Sequence, residues 1–305
     1  MEKLYLKNHK KSLIWILSSV GLTLIVLMLI GTFFDYQIAN FVAVEQHGFL
    51  YYAFGVSFEF LAFWPAILVN VGLFTALALL FKKIILKILF YGLSGIHMIG
   101  GVFGSVFFTL SNHDHSVSLA ISLPISFIIG IALTFLLWFL MKRLNSNILR
   151  RVIYILVIGA IVALTTNLLA FILQVFWGRY RFYVVYEYGA PFQEWFRPMG
   201  RGGSAEDLFG SNSFPSIHSA SVSLIAILIP LGWAMKVKRP TQISFIVVAV
   251  VMFICGPFAR MVLSWHYLTD VVFSLIIALL MFIITLLVVD YLFKKQFEKF
   301  IIKKY

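Results

Sequence analysis

The stretch FPSIHSASVSLIAILIPLGWAM, residues 214–235, sets chemistry against hydrocarbon within one segment. From Ile217 onward it is apolar for long enough to cross a bilayer, which takes about 20 residues of helix. Its opening residues nevertheless include Pro215, Ser216 and His218. Polar and ionisable side chains are expensive next to lipid, so they are functional candidates wherever they occur there. Outward from this segment the same hydrocarbon background continues in both directions. Of 305 residues, 62% are hydrophobic and 12% charged, against about 25% charged in a soluble domain. The composition is that of an all-α polytopic membrane protein. Eight stretches qualify as spans, roughly 12–34, 57–81, 84–110, 116–141, 152–176, 217–235, 241–262 and 267–293. They must be helices, because lipid leaves an open strand edge unsatisfied. The second span begins amid Glu59 and several aromatics, so its start is the least sharply marked.

The basic residues test the span count. Lys3, Lys7, Lys10 and Lys11 precede the first span; that run is too long for a signal core and no small-residue cleavage site follows, so it reads as a retained anchor. Lys82, Lys83 and Lys87, then Lys142, Arg143, Arg150 and Arg151, then Lys236, Lys238 and Arg239 occupy alternate connections, and five lysines follow the last span. All but five of the 24 basic residues thus fall on one side. By the positive-inside rule that side is cytoplasmic, both termini lie there, and the span number is even. The net charge of +12 therefore reports topology, and no nucleic-acid partner is expected. The single cysteine, Cys255, excludes an internal disulfide and a thiolate zinc site.

The remaining five are Arg179, Arg181, Arg197, Arg201 and Arg260, all arginine and all on the outer side. Arginine suits bidentate binding of phosphate or carboxylate. Arg197 and Arg201 also have Glu187, Glu194, Glu206 and Asp207 as partners within the outer loop 177–216; Arg181 and Arg260 sit at helix ends near two histidines. The first half of that loop is aromatic, with Trp177, Tyr180, Phe182, Tyr183, Tyr186, Trp195 and Phe196, and belongs at headgroup level. Other polar features read as structural. The turn Asn112-His113-Asp114-His115 reads as solvated rather than metal-binding, and Asn70, His97, Thr166 and Asn167 as helix-to-helix hydrogen bonding. The Gly100–Gly104 spacing points to close helix packing and allows a homodimer.

His266 and Asp270 are four apart, so on a helix they share one face. A carboxylate beside an imidazole selects its tautomer and raises its basicity, leaving the other nitrogen to attack. Ser216 and His218 open a helix just after Pro215, where free N–H groups favour a phosphate. Arg181 and Arg260 complete a cradle for a phosphoryl group, and His218 is placed as general acid and base. The chemistry these residues support is covalent catalysis through a phosphohistidine, with neither metal nor cofactor.

The pattern resembles the type 2 phosphatidic acid phosphatase superfamily, relatives of the vanadium haloperoxidases. That family carries Lys-x6-Arg-Pro, Pro-Ser-Gly-His and Ser-Arg-x5-His-x3-Asp. Here these read Gln174-(six residues)-Arg181-Phe182, Pro215-Ser216-Ile217-His218 and Ala259-Arg260-(five)-His266-(three)-Asp270. The resemblance covers about 150–293. It implies a six-helix core preceded by two additional helices, so that 1–110 holds N-terminal membrane helices and 111–305 the remaining core with the motifs. It implies that His266 is the nucleophile, Asp270 its orienter and His218 the acid/base, with Arg181, Arg260 and Ser216 binding phosphate. Gln174 stands where the family has Lys, Phe182 where it has Pro, Ile217 where it has Gly and Ala259 where it has Ser. Gln174 still donates hydrogen bonds, and Arg179 is the nearest substitute for the missing charge. The expected activity is hydrolysis of a lipid phosphomonoester or diphosphate at the extracytoplasmic face of a bacterial plasma membrane. The alternatives are a phosphoryl or headgroup transferase and a non-catalytic lipid-phosphate binder.

Overall fold

The computed structural model describes residues 10–44, 48–112, 119–198 and 210–302. Its regular elements are all helical, and eight of its helices are long and apolar enough to cross a membrane. The chain is an integral membrane protein.

Helix α1 (Lys10–Val42) runs past the expected end of the first span, with a break in helical geometry at Phe34. The extension exists because Asp35, just beyond the break, has tertiary partners that stand in for water. The second span, Tyr51–Leu80, is not one helix. A π-helical turn, Tyr51–Val56, leads into α2 (Ser57–Leu61); a turn at Ala62 and Phe63 separates it from α3 (Trp64–Leu80), which opens on Pro65. Proline lacks the N–H that a first helical turn leaves unused, so it restarts the helix there.

Helices α4 (Ile84–Asn112) and α5 (Leu119–Lys142) expose Ile85, Ile96, Phe107, Ile128 and Phe135, the face expected toward lipid. Helix α6 (Ser146–Trp177) starts at Asn145, whose side chain accepts from the Ile148 amide at 2.9 Å, and stops at Gly178. Gly178 takes φ 68°, the left-handed geometry that only glycine enters without cost. The short α7 (Phe182–Tyr188) follows. The sixth span runs as α8 (Ile217–Val222), a 3₁₀ stretch Ser223–Ile227 and α9 (Leu228–Met235). Helices α10 (Arg239–Val262) and α11 (Leu268–Ile302) complete the bundle.

The largest apolar cluster joins α3, α6, the 3₁₀ stretch, α9 and α11 through Val69, Leu73, Ile153, Ile158, Ile227, Ala234 and Val289. A second packs α1 against α11, with Leu24, Met28, Val271 and Leu275. Two glycines let the N-terminal segments come close to the last helices. A Cβ at Gly31 would lie 2.7 Å from Thr269 Cγ2, and one at Gly55 2.5 Å from Leu263 Cδ2. On α4 it is Gly101 that makes a close approach, to Ile67, while a Cβ at Gly100 or Gly104 would meet nothing within 4 Å among the described residues.

Candidate active site

One end of the bundle gathers the C-terminal end of α6, the start of α8, the end of α10 and the start of α11. The chain after Gly178 is extended and is pinned against the segment preceding α8. The Arg181 amide donates to Gly210 O at 2.8 Å, and the Ser213 amide to Arg179 O at 3.0 Å. Between α10 and α11 a tight turn places Ser264 at φ 61° and presents Trp265 and His266 inward.

His266 is 1% exposed, and its Nδ1 lies 2.7 Å from Ser213 O. A carbonyl oxygen only accepts, so Nδ1 carries the proton and Nε2 has the lone pair. Asp270 Oδ2 is 3.5 Å from the same Nδ1. The residue that touches the imidazole most closely is therefore Ser213, with the carboxylate one step behind. Asp270 in turn accepts from the Ser213 hydroxyl and, at 2.9 Å, from the Tyr267 amide. Burial is the main influence on the His266 ring and lowers its pKa to about 4, against the opposing effect of Asp270. The ring is held neutral, the form that has a nucleophilic nitrogen.

Arg181 and Arg260 flank the Trp265 ring, their guanidinium carbons 4.1 Å and 5.1 Å from its centroid. Both are buried. Among the described residues, Nε and Nη1 of Arg181, and Nε and Nη2 of Arg260, have no hydrogen-bond partner. Donors left unpaired in a dry place cost about 1–3 kcal/mol each, more when charged, and an anion removes that cost. The remaining Arg260 nitrogen, Nη1, is bonded to the fully buried Glu59. Glu59 Oε1 also lies 3.5 Å from His218 Nε2, itself without a hydrogen-bond partner. The His218 ring rests on Phe63, ring centres 4.8 Å apart. His218, His266, Arg181 and Arg260 lie within electrostatic reach of one another.

Ser216 caps α8, its hydroxyl accepting from the Ser219 amide at 3.4 Å, while its own amide donates to Asp270 O at 3.2 Å. Gln174, at the family's Lys position, donates from Nε2 to Pro215 O at 3.0 Å. It braces the loop carrying Ser216.

Arg179 has a different part from the phosphate contact expected of it. Its Nε donates to Gln193 O at 2.9 Å, Nη1 to Thr269 Oγ1 at 2.8 Å and Asp270 Oδ1 at 2.5 Å, and Nη2 to Asp35 Oδ2 at 2.8 Å. With every nitrogen so engaged and four of the five N–H groups committed, this guanidinium serves the scaffold first. Arg197 pairs with Glu194 at 3.5 Å on the exposed surface, as its loop partners had indicated. Arg201 and the turn His113-Asp114-His115 lie outside the described residues.

Every residue of the three motifs falls between 174 and 270. Residues 151–294 match the family model described as the PAP2 superfamily. Over this segment, a little under half of the chain, the sequence is similar to the PAP2 superfamily. PAP2 superfamily members are generally phosphatases of phosphoesters, often of lipids. No curated protein and no solved structure matches the chain.

The PAP2 segment does not supply the whole site. Asp35, on α1, and Glu59, on α2, enter from outside it. The sequence reading missed both, as well as Ser213, Thr269 and Trp265. A signal existed for the carboxylates: each stands in an apolar stretch, where an ionisable residue is a functional candidate. For Ser213, Thr269 and Trp265, ordinary residues of loops and helix starts, there was none.

Proposed function

We propose that this chain is a membrane phosphatase that cleaves a lipid phosphomonoester or diphosphate through a phosphohistidine at the extracytoplasmic face. The observation that carries the reading is the set of four unpartnered guanidinium nitrogens, on Arg181 and Arg260, buried beside a neutral His266. In this reading the phosphoryl oxygens lie against those nitrogens. His266 Nε2 attacks phosphorus, the P–O bond to the alcohol or phosphate leaving group breaks, and His218 gives that oxygen its proton. His218 then takes a proton from water, whose oxygen attacks phosphorus and breaks the P–N bond, releasing phosphate and restoring His266. Ser213 and Asp270 keep the His266 proton on Nδ1 throughout. Gln174 holds the Pro215–Ser216 turn.

The surroundings favour a lipid substrate. Exposed Tyr186, Tyr188 and Phe196 stand at this end of the bundle. An open cleft of about 480 Å³ lies beside them, lined among others by Thr32, Tyr36, Phe192 and Trp195. Aromatic side chains of this kind sit at headgroup level. The basic residues support an outer location, since they crowd the connections at the opposite end of the helices.

The test is phosphate release by purified protein in detergent, with EDTA present, from phosphatidate, phosphatidylglycerol phosphate and a polyprenyl diphosphate. Release by the unmodified chain, lost in His266→Ala, is the expected result. Formation of a phosphorylated or headgroup-exchanged lipid only when an acceptor alcohol is added would replace hydrolysis by transfer. No turnover of any lipid phosphate would overturn the reading.

A further inference from the structure

Glu59 is a buried carboxylate that the motifs do not account for, and it lies outside residues 151–294. Its placement is specific. One oxygen, Oε1, is bonded to Arg260 Nη1 and lies 3.5 Å from His218 Nε2. Four residues along, Phe63 lies against the face of the same imidazole, with ring centres 4.8 Å apart and planes 54° apart. The segment 59–63 therefore grips His218 from two directions. Its backbone is built for the purpose rather than for spanning: α2 has five residues, with a π-helical turn before it and a break at Ala62 and Phe63 after it. Gly55 permits the approach, since its missing Cβ makes room for Leu263, next to the turn that carries Trp265 and His266.

We propose that Glu59 is a positioning residue for general acid catalysis, acting through His218. The role rests on the phosphatase reading above. The acid form of His218 is a cation, which the like charges of Arg181 and Arg260 at this end of the bundle oppose. A carboxylate close by favours it. The 3.5 Å separation matters as much as the charge. At that distance Glu59 attracts the imidazolium without taking its N–H in a full hydrogen bond, so the proton stays available to the departing oxygen. The bond to Arg260 serves the same end: it ties the carboxylate down and turns the unpartnered Nε and Nη2 of that arginine to the phosphoryl group. In the cleavage step the His218 proton goes to the ester oxygen as the P–O bond breaks and the His266 N–P bond forms.

A carboxylate that works by supporting an acid has a signature that a merely structural one lacks. An alkoxide is a poor leaving group and needs the proton; a nitrophenolate leaves without it. The experiment compares kcat/KM of the full-length chain and Glu59→Gln on two substrates with hydrocarbon chains of equal length, an alkyl phosphate and a nitrophenyl phosphate. General acid catalysis contributes roughly 10²–10⁴-fold. The expected result is a fall of about 100-fold on the alkyl phosphate and less than about 5-fold on the nitrophenyl phosphate. Damage to folding, or to phosphate binding through Arg260, lowers both alike, so the ratio isolates the route through His218. Thermal unfolding of both proteins in the same detergent checks the fold independently. Equal losses on the two substrates, or no loss on either, would overturn the role. Absence of turnover by the unmodified chain would sink the phosphatase reading and this role together, and is recognised because no substitution is involved.

Discussion

Two arginines end up paired with carboxylates from the N-terminal helices, and they end up differently. Arg179 meets Asp35, Asp270, Thr269 and Gln193 and has no nitrogen to spare. Arg260 meets Glu59 through one nitrogen and leaves two without a partner among the described residues, as Arg181 does with two of its own. Both are 1% exposed, so burial does not separate them. Saturation does. A buried charge network with every donor satisfied is finished as it stands and holds helices together. One with donors left over, beside a neutral imidazole, is the arrangement we propose receives an anion. The closed network joins α1, the chain after α6 and the start of α11. Through Asp270 it also sets the position of Ser213 and hence of His266. The open one faces the histidines.

The comparison breaks if the closed network proves to be the functional one. Removing one partner of a buried ion pair costs about 3–5 kcal/mol, because the other charge is left unpaired. Asp35→Ala is therefore expected to lower the thermal unfolding midpoint in detergent more than any other single change at this end. Combined with Arg179→Ala it should cost much less than the sum of the two. An Asp35→Ala protein as stable as the parent would refute the scaffold role. At the open network the expectation is reversed. Arg181→Ala should leave the midpoint nearly unchanged or raise it, while lowering kcat about 10²–10³-fold, the usual loss for one donor to a developing anionic centre. If both substitutions moved stability and rate together, saturation would not be the distinguishing property.

Smaller changes sharpen the picture. Ser213→Ala removes a hydroxyl bonded to Asp270 but keeps the carbonyl that accepts from His266. A cost of about 1 kcal/mol in stability is expected, with a modest loss of rate and no change in which nitrogen of His266 is protonated. Nitrogen chemical shifts of the ring would show the tautomer. The smallest effect concerns pH. Burial lowers the His266 pKa from 6.5 to about 4. Between those values the unfolded chain holds a proton that the folded chain does not. His266 thus subtracts stability as pH falls through that window and subtracts none above it. The same shift keeps the proposed nucleophile unprotonated, so the His266 limb of kcat/KM should appear near pH 4 rather than near 6.5.

Much of this was legible in the residues. The eight spans followed from apolar runs and the sidedness of lysine, and both needed only counting. The motif residues were legible because their spacing is local. His266 and Asp270 lie one helical turn apart, and Pro215, Ser216 and His218 are nearly adjacent, so secondary structure alone brings each set together. The assignment of Arg179 went astray because its four partners are spread over residues 35, 193, 269 and 270, and no spacing rule links 35 to 179. The second span was expected as one helix because hydropathy registers a run of apolar residues and not where its backbone breaks.

The sequence by itself determined the class of protein and the number of apolar helices long enough to cross a membrane, and it pointed to the two histidines and the aspartate as site candidates. These depend on transfer of side chains from water to lipid and on contacts within a helical turn, and both are properties of short stretches. Only the tertiary structure decided which arginine is scaffold and which is left open, that Ser213 stands between His266 and its aspartate, and that Asp35 and Glu59 from the first helices reach into the site. Those outcomes turn on which unlike charges meet when helices far apart in the chain pack side by side. A buried charge must find its partner wherever the fold brings one, and not wherever the sequence places its neighbours.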